Sequence, residues 1–122
     1  MGMSNFVIKL LEFHLQLKIF HWQTKSYARH NAYGKIYDEI SELIDKFIEV
    51  HMGEYGRFEL GESNAIALSD LDKTDLNSFL GELISFLISF TDELKSEDTD
   101  LLNIRDEILG NVKQLRYLLT LK

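Results

Sequence analysis

No proline occurs anywhere in the 122 residues, and that absence constrains the fold more than any other feature. Proline makes up about 5% of an average chain. It is least tolerated inside long helices, where it removes a hydrogen bond and clashes with the preceding turn. The apolar residues make use of the freedom its absence leaves. Over residues 4–24, Phe6, Leu10, Phe13, Leu17 and Phe20 alternate steps of four and three, one face of a helix, with Ser4 or Asn5 as its cap. A second stripe over 31–52 runs from Tyr33 through Ile36, Ile40, Ile44 and Phe47 to Val50, and Gly53 is its expected stop. A third over 75–94 carries Leu76, Leu80, Leu83, Leu87, Phe90 and Leu94. The fourth, over 99–120, is opened by Asp98 or Thr99 and carries Ile104, Ile108, Val112, Leu115 and Leu119.

Helices of about 20 residues are about 30 Å long. Four of matched length, joined by the short turns KSYARHN and KSEDT, predict an all-α protein: an antiparallel four-helix bundle in one domain over 1–122. The remaining connection, GEYGRFELGESNAIALSDLD, is longer than bundle connections usually are. It is expected to cross the bundle or serve a contact, with a short helical turn near Asn64 to Leu68.

Charge and composition narrow the function. Thirteen Lys plus Arg against twenty Asp plus Glu leave a formal charge of −7, which argues against nucleic acid as a partner. The absence of cysteine excludes disulfides, thiolate metal sites and a cysteine nucleophile. No run reaches the ~18 apolar residues of a membrane span. The expectation is a cytoplasmic protein without a membrane partner. No phosphate loop or dinucleotide fingerprint occurs.

Polar residues sit where a simple bundle would not place them. On a helical wheel the first helix has a polar side at Asn5, Lys9, Glu12, Gln16 and Gln23 and is apolar around most of the rest. A bundle helix needs an apolar stripe of only about 100°, so the excess implies a second covering surface, that of another subunit. Inside the broad apolar arc His14, Lys18 and His21 lie one beneath another. A buried charge is costly unless paired, so these three ask for carboxylates or a metal. On the second helix Asp38, Glu42, Asp45 and Glu49 form one acidic stripe. It is either a solvated face or a set of oxygen ligands that with imidazole suits iron, manganese or zinc. His30 and His51 read as structural. The Glu-x-x-His pair of larger di-iron bundles is absent.

The run FHWQTKSYARHNAYGKIYDEISELIDKFIEVHMG, a His-Trp pair followed by an acidic helix, resembles the corresponding segment of Dps-type mini-ferritins. The tail SEDTDLLNIRDEILGNVKQLRYLLTLK, with Tyr117 near its end, is similar to their last helix. The resemblance implies a ferritin-like bundle with an iron-oxidising centre between two subunits. It implies His21, Asp38, Asp45 and Glu49 as metal ligands, His14 and Lys18 as groups orienting them, and iron as the ion, with manganese or zinc as substitutes. It also implies a homo-oligomer, a dimer or larger up to a cage, with ferroxidase-type activity in iron storage or peroxide detoxification. Gly34 stands where that family has a second histidine. The chain is similar as well to short helical proteins of large phages.

The alternative expectation is a non-catalytic helical assembly or binding module, phage-encoded, whose polar residues form an interhelical hydrogen-bond network. In a third class, the all-helical nucleotide pyrophosphatases, Glu39, Glu42 and Asp45 would hold Mg2+.

Overall fold

The computed structural model describes residues 3–61 and 64–121; the outermost positions of the expected 1–122 domain lie outside them. Among the described residues there are four α-helices and no strand: α1 (Met3–Gln23), α2 (Tyr27–Tyr55), α3 (Leu76–Ser89) and α4 (Thr99–Leu118). Two 3-10 turns accompany them, at Leu71–Lys73 and Phe90–Glu93.

The boundaries differ from expectation for local reasons. α2 begins at Tyr27 rather than near 31 because Ser26 caps it, its Oγ accepting the Arg29 N–H at 3.2 Å. Gly53 does not stop the helix. Gly56 does, at a φ of 85° that favours glycine. α3 is opened by Asp75, whose carboxylate accepts the Ser78 N–H at 3.1 Å, and its regular part ends at Ser89. Asp98 precedes α4 but makes no side-chain cap, because its carboxylate is engaged elsewhere. The helical turn expected at Asn64 to Leu68 is absent; those residues are irregular, and the turn lies at Leu71–Lys73.

The apolar stripes form one core in which every helix takes part. Residue numbers that climb along α1 fall along α2: His21 pairs with His30, His14 with Tyr37, and Phe6 with Phe47. These two helices therefore run in opposite directions. α3 meets α1 through rings, Phe79 on Phe20 and Phe13 at one end and Phe86 and Phe90 on Phe6 at the other. Phe6 and Phe90 stack with centroids 3.7 Å apart. α4 packs most extensively on α2. Its buried Arg105 reaches back to the end of α3, donating to the Leu87 carbonyl at 2.9 Å and to Thr91 Oγ1 at 2.6 Å. A guanidinium there meets the negative end of the α3 dipole.

The long link crosses the bundle from end to end and makes contacts on the way, joining α2 to an α3 that runs in the same direction as α2. The link runs along the polar side of α1, in the same direction as α1. Gly61 N–H donates to Ser4 Oγ (3.3 Å), Ala67 N–H to Glu12 Oε1 (2.9 Å), and Leu71 N–H to Gln23 Oε1 (2.8 Å). Gln16 is buried and makes two bonds to one residue, accepting the Ser69 N–H and donating to the Ser69 carbonyl, each at 2.8 Å. An amide side chain bonded in this way satisfies main-chain groups that a strand would otherwise pair. Burial would push the Glu12 carboxyl up, but the Ala67 amide and the Lys9 ammonium more than reverse this and hold it below its ordinary value.

Candidate functional site

With α2 and the link in place, α1 shows four faces at 100° per residue. One enters the core and a second, carrying His14, Lys18 and His21, meets α2. A third seats the link. The fourth, carrying Ile8, Leu11, Leu15, Ile19 and Trp22 at steps of three and four, is also apolar.

On the α2 seam every polar group found by the sequence has a structural partner. His14 is buried, its ring stacked on Tyr37 with centroids 4.0 Å apart. Its Nε2 lies 3.1 Å from the Tyr37 carbonyl, so Nε2–H donates. Burial lowers the pKa of this imidazole, against the opposing pull of the Tyr37 carbonyl and of Asp45 and Asp38, while Lys18 adds to the lowering. Lys18 Nζ lies 4.7 Å from the Tyr37 ring centroid and 5.7 Å from that of Trp22. These are cation–π distances for a group that carries its charge outward on an apolar stem.

His21 and His30 form a reciprocal clasp across the α1–α2 turn. His21 Nδ1–H donates to the His30 carbonyl at 2.7 Å, and His30 Nδ1–H donates to the His21 carbonyl at 2.8 Å. The rings stack at 3.9 Å. The sequence reading of His30 as structural agrees with this clasp, while His21, read as a metal ligand, takes the same structural role; the signal that joins them was a histidine on each side of one turn. Gly34 is explained by the same clasp. A Cβ there would lie 2.8 Å from His21 Cε1, so the glycine accommodates the imidazole face and is not a vacant ligand position.

Asp38, Glu42, Asp45 and Glu49 are exposed along α2. At 100° per residue that stripe adjoins the His30 and Tyr37 face of α2 that meets α1, and so borders the α1 seam. Among the described residues no three of the histidines and acids gather where they could hold a metal ion, so His21, Asp38, Asp45 and Glu49 are not brought together within one chain. The strings around Glu39, Glu42 and Asp45 stay on the single helix α2.

A second polar cluster, unread in the sequence, ties the end of α2 to the start of α4. Tyr55 Oη–H donates to Asp98 Oδ2 at 2.5 Å, and the Lys95 N–H donates to the same oxygen at 3.0 Å. These bonds hold the Asp98 carboxyl below its ordinary value and push the Tyr55 hydroxyl up to about 12. The His51 ring lies tilted against Tyr55 with centroids 4.7 Å apart; its Nδ1 is buried without a partner, and burial lowers its pKa.

The fourth face of α1 has no such closure. Ile8, Leu11, Leu15 and Ile19 are half-buried yet stand apart from the hydrophobics packed on the core. Trp22 at the end of the row is 65% exposed, and Tyr27 just beyond it is 79% exposed. Beside the row the link leaves Leu60, Ile66 and Leu68 exposed. Isolated exposed apolar residues are ordinary, whereas a contiguous row marks an interaction surface.

No helix of the described residues is long and apolar enough to cross a membrane. No solved structure matches the chain. A protein of Enterobacteria phage T4, described as "Uncharacterized 14.6 kDa protein in mobD-ri intergenic region", is 34% identical over 104 residues, which cover 84% of this chain and 75% of that protein. Residues 21–119 match a family that is not a ferritin family, and this overturns the resemblance to Dps-type mini-ferritins. That resemblance rested on a His-Trp pair before an acidic helix, and here the histidine serves the turn. The chain belongs to the family described as "Family of unknown function (DUF5856)".

Proposed function

We propose that this chain is a non-catalytic helical assembly or binding module, phage-encoded like its T4 relative, whose work is done by an outer face of the bundle. The carrying observation is the row Ile8, Leu11, Leu15, Ile19 and Trp22, an apolar helix face set apart from the core. The polar residues that suggested chemistry support the same conclusion. His14, His21 and His30 bond main-chain carbonyls across the α1–α2 seam, and Gln16 and Glu12 bond the link. They act as joints between elements.

The test is equilibrium dialysis of the purified chain against Fe(II), Mn(II) and Zn(II), followed by elemental analysis, for wild type and His21→Ala. No ion is expected to be retained in stoichiometric amount by either protein, while His21→Ala melts at a lower temperature. One ion per chain, lost on His21→Ala, would overturn the proposal in favour of a metal centre.

A further inference from the structure

The outer face of α1 is bordered by charge of two signs. From Phe13 to Tyr37 the chain contains no Asp or Glu, but it carries Lys18, Lys25, Arg29 and Lys35. From Asp38 onward α2 turns acidic, with Asp38, Glu42, Asp45 and Glu49 exposed beside the α1 seam and Lys46 among them. Because α1 and α2 run in opposite directions, the basic stretch flanks the Trp22 end of the apolar row on its α2 side, Asp70 of the link being bonded to Gln23 on the other side, and the acidic stripe lies toward the Ile8 end. The row is thus polarised along its length.

We infer that this face docks on the same face of a second copy, the two α1 helices running antiparallel about a two-fold axis near Leu15. This deepens the reading of the chain as an assembly module and rests on it. Antiparallel pairing lays each apolar row on the other. It also sets Lys25 of each copy against the Asp45 and Glu49 stretch of its mate, and Lys18 and Lys35 against its Asp38 and Glu42, twice over. Parallel pairing about a two-fold axis would lay the acidic stripe of α2 over the link of the mate instead, away from the basic stretch that complements it. The contact is isologous and closes at two copies.

The size of the face is adequate. The fourteen helical steps from Ile8 to Trp22 extend about 21 Å at 1.5 Å each. With α2 on one side and the link on the other, three elements of about 10 Å width give roughly 600 Å2 per copy, near the ~800 Å2 of a standard interface. Trp22 and Tyr27, together at one end of each row and so at both ends of the pair, supply aromatic anchors of the type that dominates binding energy. A polyanion fits the face less well, since the acidic stripe borders one half of it and the whole chain carries −7.

The test is sedimentation equilibrium of the full chain over a range of concentrations, with single-cysteine crosslinking, for which the chain has no cysteine of its own. The expected species is a dimer, twice the 14.2 kDa monomer. Leu15→Lys should weaken it tenfold or more while leaving the helical circular dichroism intact. Lys25→Glu, which touches no packed group, should weaken it several-fold at low salt and less at high salt. Under oxidation Leu15→Cys should crosslink to itself, and Ile8→Cys should crosslink to Trp22→Cys in a mixture but not to itself. A wild type that stays monomeric, a dimer indifferent to Leu15→Lys, or Ile8→Cys crosslinking to itself overturns the inference. So does a monomer that pellets through this face with anionic phosphatidylglycerol vesicles, which would give the face to a lipid surface. Elemental analysis of the same fractions separates the two levels: a stoichiometric metal sinks the assembly reading, whereas a metal-free monomer sinks only the pairing.

Discussion

Tyr33 is among the most completely buried side chains of the molecule, yet its hydroxyl has no partner, and burial pushes its pKa up to about 12. An unsatisfied buried hydroxyl carries a desolvation cost with no return. Tyr33→Phe should therefore leave stability unchanged or raise it by about 1 kcal/mol in urea titration; a loss would mean that the hydroxyl has a partner after all. Gly34→Ala tests the opposite sign. Alanine in place of a helical glycine ordinarily gains about 1 kcal/mol, but here the new methyl meets an imidazole held by two hydrogen bonds, and a net loss of about 1–2 kcal/mol is expected. The sequence showed that position as a missing ligand, because the apposition of a ring from α1 is invisible until the two helices are packed. For His14, whose pKa is lowered on folding, the unfolded chain takes up the proton more readily. Its contribution is complete above the unfolded value of about 6.5 and is lost as pH falls below that value toward the folded one. Urea midpoints of wild type should fall as pH drops through that window, and the fall should be smaller in His14→Gln.

At the scale of elements, the core stripes were legible because period alone decides which residues a helix buries. Phe6, Leu10, Phe13, Leu17 and Phe20 are all buried as the spacing implied. The edges were less legible. Ser26 offered a cap five residues before the first expected helical residue, and Gly56 competed with Gly53 as a stop; choosing between them depends on the structure formed around them. The seating of the link could not be read, since Glu12 and Gln16 on a polar helix side look the same whether they face water or a main chain. Gln16→Ala removes both bonds to Ser69. The Ser69 amide should then exchange with deuterium at least about tenfold faster, and trypsin should cut after Arg57 sooner, with the helices otherwise unchanged. Acid should act at the same place. The Glu12 carboxyl is held below its ordinary value when folded, so its hold on Ala67 is present above the unfolded value and fails as pH falls through the folded one.

For the whole molecule, the aromatic hub at Phe6 joins three helices, touching Phe47 on α2, Phe86 on α3, and Phe90 just beyond it. Phe6→Ala should cost about 3–5 kcal/mol, a large share of the stability of a domain this size. Calorimetry should show one transition moved down as a unit rather than one helical pair melting ahead of the other. The same architecture sets an order of events when the chain is made from its amino end. The groups that hold the link, at Ser4, Glu12, Gln16 and Gln23, form a ladder only after α1 has wound, and the first hairpin is complete once Tyr55 has emerged. Every group that seats the link is therefore already in the chain before the link itself is made, so Gly61, Ala67, Ser69 and Leu71 each find their partner on α1 waiting.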